Sequence, residues 1–504
     1  MARRRERRLS AAETLKRQKD GDDSVSQVGE PYSDRRLISI FVIFFIVIPA
    51  VSIVVYKVKF ADQVIQTESS IRHKGIIKTD INFQEILNEH SKNSENSSTR
   101  HYDYPVLAYI TPWNSKGYDM AKIFNSKFTH LSPVWYDLKS SQGSGLVLEG
   151  RHNADKGWIQ ELRSRGNALI LPRVVLEAIP GELLKKKKLR EKAIDLIVTE
   201  CKEMEYDGIV LESWSRWAAY GILHDPDLRK MALKFIKQLG DAFHSTSSPR
   251  NHEQHMQFMY VVGPPHSEKL QIYDFGPEDL QFLKDSVDGF SLMTYDFSNP
   301  QNPGPNAPLK WIDFTLKLLL GSSNNIDSNL ARKVLLGINF YGNDFAISGD
   351  SGGGGGGAIT GRDYLALLQK HKPTINWDKE SGEHLFMYRD NKKMKHAVFY
   401  PTLMSILLRL ENARLWGIGI SIWEIGQGLD YFFDLFLFSV FWMKGVLVNI
   451  QRLQVKYLLC SVATHLTCNL GLSHSLRHDQ EASHPNIPRV KQAVARIDYT
   501  ATSA

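Results

Sequence analysis

Short apolar runs alternate with segments of helical periodicity along most of the chain. Between the runs, apolar residues recur at steps of three and four, as in Ala193, Ile197 and Cys201, a spacing that predicts a helix with one buried face. Strands that alternate with helices indicate a parallel sheet, and eight such units predict an α/β fold of the (β/α)8 TIM-barrel type. The strand-like runs are 105–110, 128–135, 168–175, 207–212, 256–262, 287–295, 333–341 and 417–424.

A longer apolar run, residues 37–56, contains twenty residues without a charge. Twenty helical residues span about 30 Å, the thickness of the bilayer hydrocarbon, so the run predicts a single N-terminal transmembrane helix that acts as a signal anchor. A cleavable signal peptide and a buried core helix are the alternatives. The preceding 36 residues are long for the n-region of a signal peptide, and apolar residues occur on every face. Arginines at both ends of this preceding segment predict a cytosolic N-terminus.

The composition divides the chain into five segments. They are a basic cytosolic segment (1–36), the transmembrane helix (37–56), a polar stem or linker (57–104), the barrel (105–435) and an atypical C-terminal tail without a motif (436–504). Asn96 opens an Asn-Ser-Ser sequon, so we expect N-glycosylation on the lumenal side. This topology predicts a single-pass membrane protein of the secretory or endomembrane pathway, with a lumenal or extracellular barrel.

The charge distribution argues against nucleic acid as a partner. Ten Lys/Arg against seven Asp/Glu in 1–36 contribute +3, and seven against three in 436–504 contribute +4. The net charge is +7, so residues 37–435 are neutral and lack the basic surface of a nucleic-acid-binding domain. The three cysteines form neither a disulfide framework nor a zinc pattern. We therefore expect no metal and no cofactor.

Aromatic and acidic side chains collect at the C-terminal ends of the predicted strands, where TIM barrels bind their ligands. Aromatic rings can stack on the C–H face of a pyranose, while hydroxyls and carboxylates pair with its hydroxyl groups. Several such residues at one end of successive strands favour a carbohydrate cleft over ordinary packing. The candidate sugar-binding residues at these ends are Tyr109, Trp135, Met293, Tyr295, Asp296, Tyr341 and Trp423.

Residues 105–435 resemble the chitinase-like barrels of glycoside hydrolase family 18. The resemblance is carried by the Asp-Gly pair at 207–208 and by the strings "SLMTYD", "GINFYG" and "GIGISIWEIGQGLDYF". It implies a TIM barrel with a small subdomain inserted after the seventh strand, and a chitin-like oligosaccharide as the ligand. Tyr295 and Asp296 match the motif of the sixth strand. Trp423 matches the tryptophan that floors the central sugar subsite.

The fourth predicted strand, "DGIVLESW", departs from the family's pattern at its acids. Active members read D-G-x-D-x-D-x-E, and the corresponding positions here are Val210, Glu212 and Trp214. Alternation along a strand predicts that all three face the barrel interior. Trp214 then occupies the place of the general acid, whose loss costs about 10²–10⁴-fold in rate, and lines the cleft with its bulk. The resemblance implies that Glu212 orients the N-acetyl group of the substrate.

These observations predict a membrane-anchored, chitinase-like protein that binds N-acetylglucosamine-type oligosaccharides without hydrolysing them. Two alternatives remain open. One is a family 18 hydrolase in carbohydrate metabolism with a displaced acid, for which Glu212, Glu177 and Asp296 are the candidates. The other is an interaction scaffold whose partner is a protein receptor and whose cleft is vestigial.

Overall fold

The computed structural model describes residues 42–49, 51–52, 74–92, 100–141, 145–267, 269–321, 327–347 and 355–437. Residues 42–49 and 51–52 are helical and include a π-helical turn over Ile43–Val47. Within the described ranges, no helix is both long and apolar enough to cross a membrane. Half of the anchor predicted at 37–56, the sequon at Asn96 and the tail from residue 438 lie outside the described residues. The chain separates into two compact units, 1–65 and 66–504, and the second contains the barrel.

The strands of the second unit form two sheets. They are β1 (Val106–Ile110), β2 (His130–Ser141), β3 (Gly145–Glu149), β4 (Leu169–Ile170), β5 (Arg173–Leu176), β6 (Gly208–Glu212), β7 (Gln257–Val262), β8 (Gly289–Leu292), β9 (Val334–Asn339), β10 (Gly342–Ile347), β11 (Gly356–Ile359), β12 (Asn376–Asp378), β13 (Glu383–Arg389), β14 (Lys395–Phe399) and β15 (Gly419–Trp423).

The first sheet closes into the predicted barrel. It runs in the order β1–β15–β9–β8–β7–β6–β5–β2, and parallel pairing of β1 with β2 completes the circle. All eight predicted runs contain a barrel strand, with β4 and β5 sharing the third run. The antiparallel strand β3 extends β2 as a hairpin. The (β/α)8 prediction is therefore confirmed.

Alternation along the strands divides the core into an interior and an outer layer. On β6, Val210 packs inside the barrel, whereas Ile209 and Leu211 belong to the outer layer beneath the helices. The interior cluster of fully buried residues is Leu107, Tyr109, Leu171, Val210, Met259, Val261 and Leu335. Because these side chains fill the lower interior, a ligand can reach only its C-terminal end.

The helices are α1 (Phe83–Glu89), α2 (Ser115–Ile123), α3 (Lys156–Arg165), α4 (Pro180–Lys185), α5 (Lys187–Glu203), α6 (Trp214–Ala219), α7 (Pro226–His244), α8 (Pro277–Leu283), α9 (Leu309–Leu320), α10 (Ser328–Lys333), α11 (Gly361–His371) and α12 (Leu403–Trp416). Helix α7 shows how the sequence fixes a boundary, since Asp225 accepts hydrogen bonds from the amides of Asp227 and Leu228 and Pro226 occupies the first turn. The apolar face predicted around Ala193, Ile197 and Cys201 is buried on α5.

An inserted subdomain follows the seventh barrel strand, as the family resemblance implies. Strands β10 to β14 form a five-stranded antiparallel sheet in the order β11–β10–β14–β13–β12, and α11 lies between β11 and β12 in the chain. The subdomain precedes α12, after which β15 completes the barrel.

The stem assigned to 57–104 requires correction over residues 74–92. Ile76, Ile77, Ile81 and Ile86 are buried in the outer core cluster. His384 in the inserted sheet donates from Nε2 to the carbonyl of Thr79 at 3.1 Å. The polar stretch that follows α1 dominated the sequence interpretation, whereas these four isoleucines supply enough apolar surface to hold the segment against the barrel.

Candidate functional site

Polar side chains lie above the apolar layer of the barrel interior. We call this C-terminal end of the interior the mouth. Tyr109 and Glu212 each lie two residues beyond a buried apolar residue on the same strand, and Arg173 lies two residues beyond the buried Leu171, so the three side chains point to the same face. Met293 and Trp423 are half-buried and pack against the interior cluster. The mouth therefore combines two aromatic rings with two opposite charges.

Arg173 and Glu212 form an ion pair in the mouth. Their side chains are only 12% and 13% exposed, respectively. The guanidinium carbon of Arg173 also lies 4.9 Å from the centre of the Trp423 ring, on a strand that does not pair with β5. Arg173 therefore reaches across the interior. Burial lowers the pKa of Arg173, yet a guanidinium remains charged at neutral pH.

Tyr109 supports Trp423 from the neighbouring strand. The two ring centres are 5.2 Å apart and tilted by 54°. The Tyr109 hydroxyl donates to Ser291 Oγ at 2.8 Å, and burial raises the pKa of Tyr109 to about 12. The phenol is thus neutral and fixed. Trp423 remains half-buried, so part of its indole is accessible from the mouth.

A second polar group lies at the ends of β8 and β9. The Tyr341 hydroxyl donates to Asp296, and the Tyr295 ring packs edge-on against Tyr341 at 6.3 Å. Asn306 accepts from the amide of Asp296 at 2.7 Å and holds this residue at a positive φ of 59°. Asp296 is exposed as a whole residue, but protein atoms crowd its carboxyl group. This burial raises the pKa of Asp296 above its ordinary value, and the Tyr341 hydrogen bond opposes the rise.

Trp214 does not face the mouth, contrary to the expectation from strand alternation. The extended backbone ends at Glu212, because Ser213 has ψ −30° and α6 begins at Trp214. The indole is 3% exposed, donates to the carbonyl of Tyr273 at 2.9 Å and packs edge-on against Phe275 in the outer core. Trp214 therefore neither obstructs a sugar nor offers it a platform.

Trp135 is also absent from the mouth. It is 3% exposed, and its indole donates to the Tyr118 hydroxyl at 2.8 Å beneath the outer helices. Its neighbour Val134 packs against the interior cluster, and the register of β2 against β5 shifts between Val134 and Tyr136. This irregularity places Trp135 on the outer side, so its assignment as a sugar-binding residue was wrong.

Glu177, one of the candidate displaced acids, lies just beyond the end of β5 and is engaged by two cations. Arg216 on α6 contacts it at 2.7 Å and Lys139 on β2 at 3.8 Å. These contacts tie Glu177 to α6 and β2.

Arg173 was not identified from the sequence, whereas Glu424 was noted only as one of the acidic residues at the strand ends. Arg173 interrupts the apolar run "ALILPRVV". A single cation in a predicted buried strand could have indicated a functional residue, as the single carboxylate Glu212 did. Glu424 follows Trp423 and is fully buried, where it accepts hydrogen bonds from Asn114 and from the amide of Gly426. Burial raises the pKa of Glu424 to about 7. Its bonds to the segment that precedes α2 indicate a structural acid.

The sequence matches a known family and several bacterial proteins. The sequence model of the family described as "Glycosyl hydrolases family 18" matches residues 181–428. The uncharacterized glycosylase YvbX of Bacillus subtilis is 24% identical over 260 residues, covering 50% of this chain and 67% of that protein. The cortical fragment-lytic enzyme of the same organism is 23% identical over 211 residues, which cover 40% of this chain but only 44% of the relative.

Solved structures share the barrel. A chitinase from Chromobacterium violaceum superposes with a TM-score of 0.53 at 19% identity, covering 66% of this chain and 98% of that one. A class V chitinase mutant from Cycas revoluta, solved in complex with (GlcNAc)3, gives 0.52 at 16% identity, with 66% and 98% covered. At these identities the likeness establishes the fold alone. The sequence match to that family over residues 181–428 lies within this barrel.

Proposed function

We propose that the barrel binds N-acetylglucosamine-type oligosaccharides at its mouth and does not hydrolyse them. The observation that carries the proposal is the Arg173–Glu212 ion pair, which engages the carboxylate that remains on β6. The position expected to hold the general acid is Trp214, whose indole is buried away from the mouth.

Hydrolysis by the family's route requires a protonated group within hydrogen-bond reach of the glycosidic oxygen. Glu212 is paired with Arg173, and Glu177 is paired with Arg216 and Lys139. Each of these carboxylates is thus held by cations of neighbouring elements, and the position expected to hold the general acid is a tryptophan buried away from the mouth.

The chemistry of sugar binding is retained. Trp423 presents part of an indole beside the fixed phenol of Tyr109, and Glu212 with Arg173 offers both an acceptor and donors at the same point. Tyr341 and Asp296 add a hydroxyl and a carboxylate nearby in the fold. The (GlcNAc)3 complex of the Cycas revoluta chitinase shows that such a fold can hold this ligand class. The strings "VLAYITPWNSKGYD" and "DGFSLMTYDFS" also resemble the chitinase domain-containing proteins, a resemblance that supports carbohydrate binding.

A hydrolase centred on Asp296 is the second candidate. Burial raises the pKa of Asp296, which favours the protonated form that a general acid needs. Tyr341 opposes this effect and also fixes the carboxyl group. A hydrolase of this kind would lose its activity in Asp296→Asn and retain it in Glu212→Gln.

Calorimetry with chitotetraose on residues 66–437, after a glycan array has ranked the ligands, tests the proposal. Trp423→Phe should weaken binding, because it shrinks the platform. Trp158→Phe makes the same exchange in the outer core and should leave affinity unchanged. Glu212→Gln should weaken binding by about 1–3 kcal/mol, the range for a hydrogen bond to a charged group.

The possible outcomes separate the three functions. Binding without release of reducing ends supports the proposal. Release of reducing ends that Asp296→Asn abolishes would establish the hydrolase instead. A folded, monodisperse barrel that binds no glycan would favour a scaffold for a protein receptor.

We also propose that residues 37–56 anchor the protein in a membrane of the secretory pathway with the barrel on the lumenal side. The proposal rests on the uncharged run and on the arginines that precede it. Protease added to sealed microsomes should remove only the first ~36 residues, the length that precedes the run. Glycosidase treatment should shift the mobility of the wild type but not of Asn96→Gln. Digestion of the barrel in intact vesicles would contradict this topology.

A further inference from the structure

Two histidines and an aspartate meet at the N-terminal face of the barrel, opposite the mouth. His244 is the last residue of α7, His255 precedes β7 and Asp288 precedes β8. One potential ligand atom of each lies within 4.8 Å of the others. The imidazole rings are 4.1 Å apart between centres. Three separate elements thus deliver metal-binding side chains to one point.

The hydrogen bonds of this cluster leave donor atoms for a ligand. Asp288 accepts from the amide of Phe258 at 2.8 Å and from His244 Nε2 at 3.0 Å, both through Oδ2. Within the described residues, Oδ1 of Asp288 takes part in no hydrogen bond. His255 Nδ1 donates to the carbonyl of Met256 at 2.9 Å, so the lone pair of this imidazole resides on Nε2. A carbonyl that fixes the tautomer in this way is the usual outer partner of a metal-bound histidine.

Asp207 provides an internal comparison. It precedes β6 as Asp288 precedes β8, and its Oδ2 accepts from the amide of Ile170 at 2.8 Å. The basic groups near Asp207 are Arg163 and Arg250, at 3.9 and 4.0 Å. An aspartate can therefore join two barrel strands here without any histidine. The histidine pair beside Asp288 is additional to that structural role.

We propose that His244, His255 and Asp288 form a binding site for a divalent transition metal, with Zn2+ as the best match. Two imidazoles and one carboxylate, with a water as fourth ligand, form a tetrahedral zinc set. Imidazole donors disfavour Mg2+ and Ca2+, which prefer oxygen ligands. Zinc bonds of about 2.0–2.2 Å bring ligand atoms to roughly 3.4 Å from one another. His255 is exposed and can make the required adjustment.

The ion would join the C-terminal end of α7 to the starts of β7 and β8. No short motif joins the three residues in the sequence, which explains why cysteine and histidine spacing gave no indication of a metal.

Zinc titration of the purified, untagged full-length chain after dialysis against a chelator tests the site. The chain has 17 histidines, so the measurement is a difference between variants. His255→Ala removes an exposed ligand with little effect on the fold, and His252→Ala is the matched control because it removes an exposed histidine of the same loop. We expect the wild type and His252→Ala to bind one more equivalent of zinc than His255→Ala, or to bind it about 100-fold more tightly.

Two further measurements make the result specific. Co2+ in place of zinc should give a visible absorption band in the wild type and in His252→Ala that is absent from His255→Ala. Zinc should raise the melting temperature of the wild type more than that of His255→Ala. Equal stoichiometry, equal affinity and equal thermal shifts in the wild type and His255→Ala would overturn the proposal. Circular dichroism of the metal-free variants establishes that both are folded.

Discussion

The buried pair Arg173–Glu212 should show strong energetic coupling. The side chains are 12% and 13% exposed, so removal of either one leaves a charge with little access to water. Breaking a buried pair in this way typically costs about 3–5 kcal/mol, and the slight exposure places these variants near the lower value. We therefore expect Arg173→Met and Glu212→Leu each to lower the free energy of unfolding by about 3 kcal/mol.

The double variant should recover most of this loss. Replacing a buried ion pair by apolar side chains of similar size is often neutral or stabilising, because no charge has to be desolvated. Equilibrium urea denaturation of the wild type, both single variants and the double variant gives the coupling energy, which we expect to reach at least about 2 kcal/mol. Circular dichroism is the suitable signal, since Trp423 lies beside Arg173 and would disturb a fluorescence reading.

A surface pair provides the control. Lys310 and Glu380 also form an ion pair, but their side chains are 76% and 73% exposed. The same two substitutions there should couple by less than about 1 kcal/mol. If the effects of the Arg173 and Glu212 substitutions on stability are additive within about 0.5 kcal/mol, the two charges do not interact in the folded protein. The proposal that Arg173 engages Glu212 is then wrong.

Three further outcomes follow from individual side chains. Burial raises the pKa of Glu424 to about 7 from 4.5, so between these pH values the folded state holds a proton that the unfolded chain has released. The free energy of unfolding should therefore fall by about 3 kcal/mol as the pH rises through that interval. Urea denaturation at pH 5 and 7.5 measures this fall, and Glu424→Gln should make it smaller. Tyr341→Phe deletes the hydrogen bond that lowers the pKa of Asp296, so NMR titration should find this pKa higher in the variant. Trp214→Glu should give no chitooligosaccharide turnover and a lower melting temperature, because it buries a carboxyl group against Phe275, whereas Trp214→Phe should retain most of the stability.

The barrel could be predicted because its strands are apolar runs of the right length, separated by helical periodicity. The orientation of Val210 and Glu212 followed from alternation, which holds wherever the backbone stays extended. The same rule failed at Trp214, because Ser213 turns the chain into α6, and a single ψ angle is not visible in a residue pattern. It failed at Trp135 because a local shift of register lies within β2.

Contacts between distant segments were the least predictable part of the site. Arg173 and Glu212 lie on neighbouring strands, but the sequence contains no signal that the arginine would reach both the glutamate and Trp423. Residues 74–92 were assigned to the stem because the polar stretch that follows them dominated the sequence interpretation. Burial of their isoleucines depends on the surface that the barrel offers them.

Val210, Glu212 and Trp214 occupy the positions at which active members of the family carry acids, and all three are well packed or paired in the barrel. This supports a stable binding domain over a decaying enzyme. Val210 completes the apolar layer of the interior. Glu212 acquires a cation from the adjacent strand, and Trp214 acquires both a hydrogen-bond acceptor at Tyr273 and an aromatic neighbour. An unpaired acid retained at any of these positions would cost stability. Each of these side chains instead packs against or pairs with a neighbour in the fold, while Trp423 keeps part of its indole accessible at the mouth.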